Sequence, residues 1–336
     1  MKIFSNQLNL YIFAENNTIE TTMKLFITII ASLLFATNCY SQITAITAKD
    51  KEESEVEVQK YDSLESLNSK NVLLHEGQTL FLKGTKYAKE NNYYYIFFTK
   101  IIPEGSWDND PYVYKPIAGK GRRIVSSYSE LVGKYYKVLS IQVDKANPYH
   151  DAYWLQLVGD DETPFYFHME RETAGFITLG YYEKMKQIFV GKEFYSISSM
   201  EHPKVDSKET TKAPHKTKFK CIDIAVNIGE SDPPFAVLEN TQYGKIKGQI
   251  IKGQRLHMFV SISAYNEYIK KYGTKFGSLV AEGDVIIGMN KKMVKDAWGL
   301  PDHINTTTGS YGTHEQWVYG SSYLYFKNGI VTSKQE

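Results

Sequence analysis

The sequence predicts an α+β protein, a β-rich body followed by a small module of helices and then strands, and three observations carry that prediction. Short runs dense in Tyr, Phe and β-branched residues alternate with Gly, Asn, Asp and Pro turns through the middle of the chain. The run Tyr136-Lys137-Val138-Leu139-Ser140-Ile141-Gln142-Val143 returns 83 residues later as Phe219-Lys220-Cys221-Ile222-Asp223-Ile224-Ala225-Val226. The C-terminal end, from Val285 to Thr332, reads as a capped helix followed by a three-stranded meander.

Composition sets the bounds. Of 336 residues, 42% are hydrophobic and 23% charged, which suits a folded chain and argues against a disordered one. The net charge of +1, from 39 basic and 38 acidic residues, provides no overall field for nucleic acid or an anionic membrane. Aromatic residues reach 14%, driven by 26 Tyr and 17 Phe, and a ring with a wettable hydroxyl fits both half-buried strands and recognition surfaces. The two cysteines, Cys39 and Cys221, exclude a disulfide framework, and Cys221 lies in a β-rich run with no local His to activate it.

In chain order, residues 1–22 precede a complete export signal with its own Met. Met23-Lys24 leads into the apolar run Leu25–Ala36, too short for a comfortable membrane span, so residues 23–41 read as a secretory signal peptide. Cys39 and Ser41 place small residues for cleavage before Gln42. The alternative makes Cys39 a lipidated anchor, and membrane association is expected only in that case. Residues 42–70, with Lys49-Asp50-Lys51-Glu52-Glu53, read as a polar tether.

The body, 71–262, begins near Asn71. Thr79–Leu82, Tyr93–Thr99 and Tyr112–Tyr114 are expected strands, and Ser127–Val132 a short helix. Val132-Gly133-Lys134 and Val190-Gly191-Lys192 then mark restarts. Together with the 83-residue match, which also aligns Leu155 with Leu238, Tyr182 with Tyr265 and Lys192 with Lys275, they suggest about three diverged strand-strand-strand-helix units over 71–132, 133–190 and 191–275. The polar stretch 200–216 reads as a flexible insertion loop.

The module, 263–336, opens with Tyr265, Tyr268, Ile269 and Tyr272 on one helical face, capped by Ser263 and ended by Gly273, and a second helix over Lys275–Ala281 stops at Gly283. Asn290 is a third helix's N-cap, Met289 and Val294 form a hydrophobic staple, and Gly299 with Pro301 ends that helix after Trp298. Strands follow at Gln316–Tyr319, Tyr323–Phe326 and Ile330–Thr332, with Asn328-Gly329 suited to a type I′ turn.

Gly288-Met289, Val294, Gly299, Pro301, Trp317-Val318-Tyr319, Leu324-Tyr325-Phe326 and Asn328-Gly329 resemble the SmpA/OmlA (BamE-like) family of small outer-membrane lipoproteins, which share a fold with β-lactamase-inhibitor-like modules. The resemblance covers roughly 264–334. It implies an α-α-β-β-β module that acts as a non-catalytic interaction unit in envelope assembly, and it says nothing about the body.

Chemistry is sparse. Eight histidines are scattered without H-x-x-x-H or C-x-x-C pairing, so no metal ligand, catalytic residue or cofactor is expected. His168 and Glu170 share a strand face, while Asp108-Asn109-Asp110 and Gly159-Asp160-Asp161-Glu162 read as acidic turns rather than calcium loops. Lys120-Gly121-Arg122-Arg123 is too short for nucleic acid. The polar run Thr306–Glu315 is the candidate contact surface, with Asn305, Thr307, Tyr311, His314 and Glu315 as its residues. The alternative has His314 and Glu315 merely flanking the strand of a core Trp317. The expectation is an exported, non-enzymatic envelope protein, periplasmic or outer-membrane associated, that binds an envelope protein partner. A glycan or peptidoglycan fragment stacked on exposed aromatics is the alternative ligand, and an enzyme with a site assembled from distant residues is the third reading.

Overall fold

The computed structural model describes residues 60–102, 110–145, 152–170, 173–310 and 312–336. The export signal, Cys39, Asp108, Asn109, His150 and Tyr311 lie outside the described residues. The described chain belongs to one compact unit with three hydrophobic clusters.

The first cluster lies in a sheet of β1 (Thr79–Leu82), β2 (Tyr135–Val143), β3 (Tyr153–Val158), β4 (Phe165–Met169) and β5 (Phe176–Thr178), followed by α1 (Leu179–Phe189). Strand β1 sits between β2 and β5, and the order is β4-β3-β2-β1-β5, all antiparallel, with Phe97–Phe98 added beside β4. The second cluster repeats the plan with β6 (Glu193–Ser196), β7 (Lys218–Ala225), β8 (Phe235–Asn240), β9 (Gly244–Ile251) and β10 (Phe259–Ser261), followed by α2 (Ile262–Glu282). Here β6 lies between β7 and β10, in the order β9-β8-β7-β6-β10.

The correspondence extends to single bonds. Leu80 pairs with Tyr136 and Thr178, and Phe194 with Phe219 and Ser261, so Tyr136 matches Phe219 and Thr178 matches Ser261 at the spacing of 83. Gly77 N donates to Val138 O at 2.9 Å, and Gly191 N to Cys221 O at 2.8 Å. Both copies bulge at the same place, between Val138 and Ser140 and between Cys221 and Asp223. The body therefore holds two units rather than three. The Val-Gly-Lys match pairs unlike places, because Gly133 precedes a second strand and Gly191 a first strand. Register also replaces the Leu155 match: it is Leu157, opposite Val138, that corresponds to Leu238, opposite Cys221.

Other local expectations change. Tyr93–Thr99 is two strands in different sheets, Tyr93–Tyr94 and Phe97–Phe98. Tyr112–Tyr114 is the end of a 3₁₀ turn and a single bridge between Val113 and Phe98. Both belong to the long insert between β1 and β2. The short helix there, Tyr128–Leu131, is capped by Ser127, whose hydroxyl accepts from Glu130 N. The stretch 200–216, expected as a flexible loop, contains a paired hairpin, Glu201–Pro203 with Thr210–Lys212, whose adjacent Thr210 and Thr211 are β-branched strand formers. Ordered structure also starts ahead of Asn71: Leu67 is buried and its N–H donates to Thr178 Oγ1 at 3.0 Å.

Packing accounts for part of the tyrosine content. Tyr94, Tyr114, Tyr128 and Tyr136 are buried in the first cluster, with the Tyr114 ring stacked 4.1 Å from Phe165. Two of the hydroxyls make close polar contacts, Tyr136 donating to Leu131 O at 2.8 Å and Tyr114 to Asp161 at 3.0 Å. A buried ring that satisfies its hydroxyl keeps the full benefit of apolar burial.

In the third cluster, α2 folds at Gly273, where φ is 72° and ψ 168°. Its arms lie so close that a side chain on Gly277 would strike the backbone of Tyr268 and Ile269. The N-cap is Ser261, not Ser263: Ser261 Oγ accepts from Ala264 N at 3.2 Å, and Gly283 closes the helix with φ 79°. Next comes α3 (Lys291–Trp298), capped by Asn290, whose side chain accepts from Met293 N at 3.0 Å. Met289 and Val294 are both fully buried in the staple. The sheet has four strands, β11 (His303–Gly309), β12 (Gly312–Tyr319), β13 (Ser322–Lys327) and β14 (Ile330–Gln335), in sequence order. The added strand β11 takes in the first part of the polar run Thr306–Glu315. Asn328 and Gly329 take the positive φ values, 50° and 81°, of the expected turn.

Candidate functional site

The candidate surface is built on β11, an edge strand whose seven residues are all exposed. It pairs only with β12, from His303 opposite Val318 to Gly309 opposite Gly312. Asn328 N donates to Thr313 O, so the odd-numbered residues of β12 turn their backbone groups toward β13 and the even-numbered ones toward β11. By the same alternation His303, Asn305 and Thr307 bond inward. Ile304, Thr306 and Thr308 therefore hold their N–H and C=O groups outward, free to pair with another strand.

The edge lacks the usual protections. It carries no Lys, Pro or bulge, the devices that normally stop edge-to-edge association. The opposite edge, β14, is covered at its start, where Val331 exchanges hydrogen bonds with Gly288 and Met289 at 2.9 and 2.8 Å. Apolar exposure flanks the open edge, with Leu300 76% and Ile304 48% accessible.

The face away from the helices bears a chain of side-chain hydrogen bonds. Asn305 Nδ2 donates to Gln316 at 3.0 Å, Gln316 Nε2 to the Tyr325 hydroxyl at 3.1 Å, and that hydroxyl to Gln335 at 3.3 Å. This ladder ties all four strands and holds the face flat and polar. Thr307 and His314 are cross-strand partners on the same face, and both are exposed.

Glu315 lies on the other face, and its role is structural. It accepts from Trp317 Nε1 at 2.8 Å and pairs with Lys291 at the start of α3. Those hydrogen bonds, the Lys291 one foremost, hold its carboxyl below the usual glutamate value. Trp317 is buried against Phe326, with ring centroids 4.6 Å apart. Tyr319 donates to Gly299 O at 3.0 Å, and burial pushes its phenol up to about 12. Gly288, Met289, Asn290, Val294, Trp298, Gly299, Pro301, Phe326 and Asn328-Gly329 serve capping, packing or turn geometry. Trp298, for example, donates its Nε1–H to Gly283 O at 2.8 Å. Of the five candidate residues, Asn305, Thr307 and His314 lie together on the open face, Glu315 belongs to the core side, and Tyr311 is outside the described residues.

The other polar sites have internal partners. His168 bonds Asp144 at 2.8 Å, lies 3.9 Å from Glu170 and stacks on Trp154. Asp161 pairs with Lys115 at 2.8 Å and accepts from Thr163 N, as expected of an acidic turn. Sequence reasoning missed three buried ionisable groups, His75, Lys83 and His202, of which Lys83 and His202 meet elements distant in the chain. No periodicity marks any of them.

No family model, curated protein or solved structure matches the chain.

Proposed function

We propose that this is an exported, non-enzymatic protein of the cell envelope whose C-terminal module holds a protein partner by strand addition. The observation that carries the reading is β11, seven exposed residues long, unguarded, with the backbone groups of Ile304, Thr306 and Thr308 turned outward. Main-chain pairing supplies affinity, while Ile304 on one face and the Asn305, Thr307 and His314 side chains on the other supply selectivity. The likeness of the module to BamE-like interaction units, and the signal-like segment 23–41, support the envelope setting. Burial of Trp317 and Trp154, and of Tyr94, Tyr114, Tyr128 and Tyr136 in the first cluster, favours a protein partner over a glycan, which needs exposed rings.

The test uses Thr306→Pro. It deletes one outward N–H and leaves β11's own bonds to β12 intact, so the fold should keep its stability within about 0.5 kcal/mol. A photo-crosslinker at Thr308 in intact envelopes should trap a defined envelope protein, and Thr306→Pro should abolish that adduct. An adduct of unchanged intensity in the proline variant, or a chain that fractionates with the cytoplasm, overturns the reading.

A further inference from the structure

We infer that the open edge β11 is covered, when no partner occupies it, by β11 of a second copy of this chain, the two strands running antiparallel about a two-fold axis through Thr306. The inference rests on the reading of β11 as a pairing edge and names its resting occupant. Unguarded edges are a hazard that folded proteins remove or cover, and β11 offers seven exposed residues without Lys, Pro or a bulge. An edge left in that state calls for a cover.

The pattern of the strand identifies that cover. In an antiparallel pair, residues that turn their backbone groups outward stand opposite one another. The outward residues of β11 are Ile304, Thr306 and Thr308. A register centred on Thr306 sets Ile304 against Thr308 of the second copy and Thr306 against its own equivalent, so every outward N–H meets an outward C=O. Neighbouring registers do worse. Centred on Asn305, Thr308 would face Asp302, whose N–H is already given to Val318 O at 2.8 Å. Centred on Thr307, Ile304 would face Ser310, beyond the end of the strand.

Charge and side chains suit the same pairing. Residues 304–309 include no Lys, Arg, Asp or Glu, so two copies meet without the like-charge opposition that keeps other edges apart. Ile304, 48% exposed, would lie beside the methyl of Thr308 on one face, and Asn305 would meet Thr307 on the other, polar against polar. The far edge β14 is a poorer cover, since its start is bonded to Gly288 and Met289 and it carries Lys334. Two-fold pairing uses the open edge of both copies, so it stops at two and builds no filament. One strand pair is at the small end of interfaces, so the dimer should be weak, with a Kd on the order of 10–100 μM, and a partner strand can displace it.

Residues 42–336, the expected exported form, contain the compact unit and keep only the buried Cys221 as a thiol. Sedimentation of this form across about 2 to 200 μM should show a monomer–dimer equilibrium, and Thr306→Pro, which removes the N–H nearest the axis from both copies, should weaken it about 10-fold or more. Cysteine variants read the register. In Thr306→Cys the two equivalent Cα atoms stand about 5.5 Å apart, within disulfide reach, whereas in Thr308→Cys they stand about 14 Å apart, outside it. Mild oxidation should link Thr306→Cys into dimers and leave Thr308→Cys unlinked until it is mixed with Ile304→Cys. A chain that stays monomeric at the highest concentration, or equal linking of the two single variants, overturns the proposal. A monomeric chain whose Thr308 crosslinker still traps an envelope protein sinks self-pairing and leaves the partner reading intact. A dimer of this register without that adduct does the reverse.

Discussion

Glu315 shows how a residue that reads as a recognition group becomes a structural one once its strand face is known. In the alternation of β12, Thr313, Glu315, Trp317 and Tyr319 share a face, and Trp317 is 1% exposed, so Glu315 must point toward α3. There its carboxylate takes the indole N–H and the Lys291 ammonium. Its pKa is depressed in the folded state, so the stability it contributes is complete above the ordinary glutamate value of 4.5 and is lost as pH falls through the lower folded value. Replacement by glutamine should cost about 1–2 kcal/mol at pH 7, discounted because Lys291 is partly exposed. Urea unfolding of both proteins between pH 7 and pH 3 checks the sign: the gap should narrow below pH 4.5, and a constant gap would refute the ion-pair account. His202 is the converse case, a residue with no sequence signal whose Nε2 has no hydrogen-bond partner among the described residues.

At the scale of elements, what was legible in the sequence was whatever a few adjacent residues decide. Asn290 caps α3, Gly283 ends α2, and Asn328-Gly329 turns the last hairpin, because each of these is settled by local φ or one side-chain bond. Pairing is not local, and there the reading failed. Tyr93–Thr99 has strand composition throughout, but Tyr94 pairs with Ser126 and Phe97 with Phe167, which commits its two ends to different sheets. Strand β11 was hidden because Thr and Asn without alternating hydrophobics look like a loop; an edge strand exposed on both sides has no apolar face to reveal it. The closeness of the two arms of α2 at Gly277 was equally invisible. Gly277→Ala places a methyl inside contact distance of the Tyr268 and Ile269 backbone, which cannot yield as a side chain would. It should destabilise the module by about 1–3 kcal/mol. Denaturant unfolding followed by the fluorescence of Trp317 and Trp298 measures this, and a variant as stable as the parent would show that the arms are not in close contact.

For the whole molecule, the duplication explains why the repeat was only half visible. Each unit inserts a segment of different length between its first and second strands, so a single offset aligns β2 with β7 and α1 with α2, and loses β1 with β6. The insert of the first unit also brings the two together. Residue Gly229, in the loop between β7 and β8, donates its N–H to Lys83 O at 2.7 Å, and the buried Lys83 ammonium reaches Glu230 O and, at 3.3 Å, Gly84 O. Lys89 adds an ion pair to Glu230 at 3.5 Å. The ammonium is costly to bury, and burial lowers its pKa despite the nearby Asp232 and Glu230 carboxylates, so the joint holds through hydrogen bonds and close fit rather than charge alone. Gly229 is the tightest point: its φ is 71°, and a methyl there would run into Lys89 and the Tyr128 hydroxyl. Helix α1 joins the units as well, since its Met185 and Phe189 are buried in the second cluster and Tyr182 donates to Ile224 O at 2.8 Å, so Gly229→Ala should loosen this joint without separating the units. Hydrogen exchange should accelerate at residue 229 and stay unchanged at the core strands β2 and β7, while scanning calorimetry still shows one transition at a lower temperature. Unchanged exchange at residue 229 would mean that the joint does not depend on the close fit of this glycine.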